Sequence, residues 1–425
     1  MKDKHRTMTP QLRFPEFECD GPWSTRPLGE LCDRIVEKVG DVTLTPVSIT
    51  AGRGFVSQAE KFGRDISGAQ YKNYIRLRRG EFAYNKGNSK LYPQGCVYQL
   101  KEYDEAAASN AFICFRLRSG NAPAFFEGLF EKNAHGRQLA KFLTSGARSD
   151  GLLNIKDDEF FSVRLPIPPR AAEQRKIADC LTSLDECIAA EGRKVEALRA
   201  HKKGLMQQLF PREGETRPRL RFPEFREAPE WEDRKLDDLA LRGTGHTPKK
   251  GIPEYYNGGI KWVSLADSKR LDNGLISETE IEISEQGIEN SSAVLHAEGT
   301  VILSRDAGVG KSAIMEFPMA VSQHFIAWTC DSHELSSWFL YYVLQNMKPL
   351  FEQIATGSTI KTIGLPFFIE MRVTVPAVQE QHRIASCFSS LDALIAAQSQ
   401  KLDGLRAHKK GLMQQLFPSP APEGV

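Results

Sequence analysis

The feature that most constrains this chain is that it contains itself twice. The fourteen residues LRAHKKGLMQQLFP stand at Leu198–Pro211 and again, unchanged, at Leu405–Pro418. Upstream, at the same separation of 207 residues, EQRKIADCLTSLDECIAAEGRKVEA aligns with EQHRIASCFSSLDALIAAQSQKLDG without a gap. A second pair opens each half: LRFPEF at Leu12–Phe17 returns at Leu220–Phe225. The leucines that follow, Leu28 and Leu31, are matched by Leu236 and Leu239. Internal repeats of this kind decide the fold before any residue-level reasoning does.

Between these anchors the halves diverge, yet a skeleton persists. Gly80–Lys86 (GEFAYNK) parallels Gly299–Arg305 (GTVILSR): a glycine, a short apolar strand, a polar-basic turn. Ser109–Ile113 parallels Ser322–Ile326. An apolar helical stretch follows in each half, then a small polar segment and a strand running into Pro166–Pro169 or Pro376. A near-identical frame around dissimilar inserts implies one scaffold carrying two different readers.

The repeated segment has the period of a helical seam. Positions 177, 181, 184, 188, 191, 195, 198, 202, 205 and 209 alternate four and three apart, as in a coiled coil. They are apolar except Glu191 and Lys202, and the second copy breaks at the same places, Gln398 and Lys409. Pro169 and Pro211 bound the first helix, Pro376 and Pro418 the second. Each should run about 35–40 residues, roughly 50–60 Å. Antiparallel pairing of the two would bury both seams. It would bring Glu191 near Lys409 and Lys202 near Gln398, unless these side chains turn sideways into solvent.

The expected architecture is α+β: two globular recognition domains, residues 1–170 and 212–377, with long helices at 171–211 and 378–418 and a tail at 419–425. The identical last turns present His201, Lys202, Lys203, Gln207 and Gln208, and His408, Lys409, Lys410, Gln414 and Gln415. Their sameness fits a shared partner surface; recent duplication explains it equally well.

Motifs for catalysis are missing. AGVGKS at Ala307–Ser312 lacks the first glycine of a phosphate loop, Arg305 standing in its place. No adenine-methyltransferase motif, metalloprotease helix or nucleophile elbow is found. The eight cysteines form no CxxC pair or zinc spacing and read as reduced structural residues. The start, MKDKHRTMTPQLRF, has no apolar core of a signal peptide, so a cytoplasmic address is expected.

Net charge is only +2, so any nucleic-acid affinity must come from local clusters. In the first half, Lys72, Arg76, Arg78, Arg79, Lys86 and Lys90 surround a single acid, Glu81, with Asn85 and Ser89 among them. A later loop adds Arg148, Asn154 and Lys156. In the second half, RGTGHTPKKG offers Arg242, His246, Thr247, Lys249 and Lys250. A glycine loop would present Arg305 and Lys311 to phosphates or a base edge, with Ser358, Thr359 and Lys361 beyond it. Phosphate contacts would supply affinity and base edges specificity.

With these pieces in place, the chain resembles the specificity subunit of type I restriction-modification systems over essentially its whole length. The resemblance is carried by LRFPEF followed by a tryptophan (Trp23, Trp231), the proline-led EQxxIA helix start, HKKGLMQQLFP, and TPKKGIPEYYNGGIKWVSLAD in the second half. It implies two target-recognition domains, each binding one half of a split DNA site, with helix length fixing the spacer. Two methyltransferase subunits and restriction subunits would dock on this chain. S-adenosylmethionine, ATP and magnesium would be used by those partners, with no cofactor bound here. Unlike halves imply an asymmetric site. The alternative is a coiled-coil assembly adaptor that binds no DNA.

Overall fold

A computed structural model describes residues 7–87, 92–143, 153–357 and 361–418. The chain divides into two compact units, Met1–Glu191 with Lys401–Val425, and Gly192–Gln400. Each unit therefore holds the first part of one long helix and the last part of the other.

The helices run Ala171–Leu209 and Val378–Leu416, 39 residues each. Every seam position named above is buried or half-buried. Within the first unit, Lys401 pairs with Glu191 and Lys409 with Asp185 at 2.8 Å, so the two helical segments are antiparallel. Within the second, Lys202 pairs with Asp392 at 2.6 Å and Phe210 stacks on Phe388 at 5.9 Å, giving the same sense.

The register differs from the expected opposition of seam polars. Lys409 meets Asp185 and Glu131 rather than Glu191, and Lys202 meets Asp392 rather than Gln398. Asp185 and Asp392 are themselves equivalent positions of the repeat, as are Lys202 and Lys409. Each unit thus carries one copy of the same lysine–aspartate pair across its helices. Burial works to lower the Lys409 ammonium pKa, but hydrogen bonds to Asp185 and Glu131 outweigh it and hold it above the ordinary lysine range.

The divergent inserts share one topology down to the register. In the first unit a sheet runs Cys32–Arg34, Ile113–Leu117, Phe82–Asn85, Cys96–Gln99. Its counterpart runs Ala240–Thr244, Phe325–Cys330, Val301–Ser304, Ser312–Met315 and ends on Leu275–Ile276. Leu117 sits opposite Cys32 and Ile113 opposite Tyr84; Cys330 sits opposite Ala240 and Ile326 opposite Leu303, the same pairings between corresponding strands of the two units. A second, mixed sheet follows suit, with one parallel pair flanked by antiparallel strands in both units.

The central strands are buried on both faces, which is why they read as continuous apolar runs rather than as alternation. Phe82, Tyr84, Ile113 and Phe115 face a core shared with Ile177, Leu181 and Phe417 of the long helices. Ala83, Cys96 and Cys114 face the second sheet. In the other unit Val301, Leu303, Ile326 and Trp328 point to the helix side, and Ile302, Ala313 and Ala327 to the second sheet. The cysteines are free thiols, and burial pushes those of Cys96 and Cys330 up to about 11.

The LRFPEF segments fasten each unit to both helices. Arg13 holds Glu173 through two bonds of 2.8 and 2.7 Å, and Arg221 holds Glu380 at 2.8 and 2.6 Å. The neighbouring amides reach the opposite helix: Leu12 N–H donates to the Gln415 carbonyl and Leu220 N–H to that of Gln208. The glutamine after each glutamate accepts a backbone N–H at the start of the unit's apolar helix, Gln174 from Ala122 and Gln381 from Ser336. The repeated EQ is therefore a fastening, with charge and amide each assigned a partner. Among the described residues no helix is long and apolar enough to cross a membrane.

Candidate nucleic-acid interface

The two basic clusters fare differently once folded. On the Ile75–Arg78 strand, Arg76 is held by Glu105 at 2.8 and 2.7 Å, and Arg78 by Glu37 at 2.7 and 2.8 Å. Arg79 pairs with Asp104 and Lys72 with Asp41. The hydrogen bond from Arg78 draws the Glu37 carboxyl below its usual range. A stretch with one acid along the chain is thus matched by acids from elsewhere in the unit, Glu105 on a neighbouring strand and Glu37, Asp41 and Asp104 in loops. The linear count overstated its charge.

Asn85 and Lys86 end the Phe82–Asn85 strand, where Asn85 Oδ1 accepts from Gly87 N–H and Lys86 lies 3.9 Å from Asp157. The Lys86 carbonyl accepts from Leu153 N–H, and Asn154 next to it is exposed. Ser89, Lys90, Arg148, Ser358 and Thr359 lie outside the described residues.

In the second unit the corner at the ends of three strands holds Thr247 of the expected residues, with Arg305 and Lys361 adjacent in sequence to its other members. Thr244 closes the Ala240–Thr244 strand, and Gly245 then passes directly against Val321. A Cβ on Gly245 would lie 1.7 Å from the Val321 carbonyl oxygen, so only glycine lets the chain turn here. That turn delivers Thr247, whose hydroxyl donates to Gln323 Oε1 at 2.6 Å. Gln323 Nε2 lies 3.4 Å from His324 Nε2, and His324 Nδ1 is 2.8 Å from Asp306 Oδ2. Thr362 donates to the other oxygen of Asp306. Lys361, beside it, is exposed.

Arg242 is occupied by Asp237 at 3.0 Å. His246 and Lys249 and Lys250 are exposed, with no ion pair to the two lysines among the described residues. The AGVGKS segment is a hairpin turn joining Val301–Ser304 to Ser312–Met315, not a loop ahead of a helix. Val309 is buried, and Lys311 Nζ is tied to the Ser268 carbonyl and hydroxyl at 2.8 and 3.0 Å. Arg305 is mostly buried, its Nε without a hydrogen-bond partner among the described residues. The turn thus holds Lys311 inward instead of presenting it.

Gln323, His324 and Asp306 were not singled out from sequence. The signal available was the parallel between Ser322–Ile326 and Ser109–Ile113, which marks an equivalent turn in each unit. In both, the residue three after the serine returns its N–H to the serine carbonyl, Phe112 to Ser109 and Phe325 to Ser322.

Of the helix residues expected to dock partners, Lys202 and Lys409 are engaged within their own units, as above. His201, Lys203, Gln207 and Gln208, and His408, Lys410, Gln414 and Gln415, are exposed.

Two units of one topology and pairing pattern, each closed by its share of the two long helices, define a duplicated two-unit fold with different polar residues at equivalent strand ends. The chain belongs to the family described as the type I restriction modification DNA specificity domain, whose model matches residues 65–200 and 229–407. It is 24% identical over 290 residues to the type I restriction enzyme MjaVIII specificity subunit of Methanocaldococcus jannaschii, covering 65% of this chain and 66% of that protein. To the EcoR124I/EcoR124II specificity subunit of Escherichia coli it is 25% identical over 171 residues, 39% of this chain and 41% of the other. The matched stretches thus span less than two thirds of these relatives. Among solved structures, the type I restriction-modification S subunit from M. genitalium covers 97% of this chain and 100% of its own, with a TM-score of 0.60 at 16% identity. A chain of another solved type I R-M system gives 0.56 at 18% identity, covering 93% and 97%.

Proposed function

We propose that this chain is the DNA-specificity subunit of a type I restriction-modification complex, each unit reading one half of a bipartite, asymmetric DNA site. The observation that carries this reading is the duplicated register with divergent polar corners. Equal scaffolds give two targets a common geometry, and unlike corners make the two sequences differ. The chain supplies recognition while two methyltransferase subunits and the restriction subunits, working in the cytoplasm, supply S-adenosylmethionine, ATP and magnesium chemistry. The exposed faces bearing His201, Lys203, Gln207 and Gln208, and their second-copy equivalents, are the docking surfaces in this account.

Selection from random-sequence duplex DNA, with the partner methyltransferase present, tests the proposal. A two-part motif with a fixed gap is expected; an assembly adaptor would enrich no sequence. Lys249 and Lys250, exposed and without an ion pair among the described residues, are assigned to phosphates. Replacing each by alanine should weaken binding to all sequences alike and reduce the slope of log affinity against log salt by about one unit per lysine. An unchanged slope would remove them from the interface.

A further inference from the structure

The polar corner of the second unit is ordered by a single chain of hydrogen bonds. The Thr247 hydroxyl donates to Gln323 Oε1, and the amide nitrogen faces His324 Nε2 at 3.4 Å. An amide nitrogen only donates, so His324 Nε2 accepts and His324 Nδ1–H donates to Asp306. Asp306 is held in turn by Thr362. Four side chains thus position the fifth, Gln323, which is exposed at the tip of its turn.

After these bonds Gln323 retains one N–H and one oxygen lone pair. That is the donor–acceptor pair that meets N7 and the N6 amino group of adenine in the major groove. A carboxamide free to spin would give up rotamer entropy on binding; this one has already been oriented. The first unit offers a parallel: Asn110, also exposed, occupies the same place in the equivalent turn. A carboxamide at one register position in both units points to the same kind of contact in both half-sites.

We propose that Gln323 is a specificity-determining residue that reads an adenine in the half-site met by the second unit, with Thr247 and His324 as positioning residues. This rests on the DNA-specificity reading above. The test uses the full chain with its methyltransferase subunits and a random-sequence duplex library, comparing wild type, Gln323→Ala, Gln323→Glu and Thr247→Val.

Wild type is expected to select a two-part motif. Gln323→Ala should lose one A·T position in one half-site only and bind the wild-type site about 5- to 150-fold more weakly. Gln323→Glu should move that position toward C·G, because a carboxylate accepts from the cytosine amino group. Thr247→Val, which keeps shape and removes the hydroxyl, should blur the same position by a smaller factor while leaving every other position intact, a pattern that mere loss of folding cannot produce. If wild type selects a motif and Gln323→Ala selects the same one at every position, this inference is overturned while the specificity reading stands. If wild type selects no motif, both fall.

Discussion

Glu380→Ala should destabilise the second unit by about 3–5 kcal/mol, the range for removing one partner of a buried ion pair. Both side chains are nearly inaccessible, 7% exposed for Arg221 and 1% for Glu380, and the pair is bidentate. The hydrogen bond to Glu380 raises the Arg221 pKa further, so the guanidinium cannot escape by losing its proton. Its remaining bonds go to the carbonyls of Ala228 and Pro229, which satisfy hydrogens without neutralising charge. The equivalent Glu173→Ala should be at least as damaging, because Glu173 also accepts from Trp23 Nε1 at 3.1 Å. Trp231 Nε1 has no such partner among the described residues. Equilibrium urea unfolding followed by tryptophan fluorescence measures both. A loss below about 1 kcal/mol would mean the pair behaves as a solvated surface bridge.

Phe388→Ala is expected to cost a comparable amount, about 3–5 kcal/mol, by opening a cavity where helix meets domain. The ring is fully buried, stacked on Phe210 with 9° between planes and 5.1 Å from the Tyr342 ring. Tyr342 also donates its hydroxyl to Asp392, which receives Lys202. Loss of the ring therefore loosens the packing beneath the lysine–aspartate pair as well. Phe388→Leu, the residue found at the equivalent position 181, should recover most of the loss. The same unfolding experiment checks this, and equal values for the alanine and leucine variants would show that volume is not what the site requires.

The frame of the molecule was legible because it is periodic. Prolines at 169, 211, 376 and 418 bracket helices observed at Ala171–Leu209 and Val378–Leu416. The glycine-strand-basic parallel at Gly80 and Gly299 marked the two central strands. What sequence could not provide was which side chains meet across elements. Arg76 and Arg78 look like a bare basic patch until folding brings Glu37 and Glu105 alongside. Lys202 and Lys409 look like flaws in a seam until Asp392 and Asp185, one position off the seam, are seen to receive them. Both aspartates are retained between the copies, as are Arg13/Arg221 and Glu173/Glu380, so shared charged residues in the repeat carried the information. Gln323 was less accessible: its orientation depends on Thr247, which arrives from a segment 76 residues away.

The most direct test of two independent readers on one scaffold is an exchange. Residues 225–376 are replaced by the matching segment of a family member with a different known DNA specificity, and methylated adenines are mapped genome-wide in cells expressing the hybrid with its partners. The expected result is a site whose first half is unchanged and whose second half is that of the donor. A change in both halves, or in neither, would contradict it.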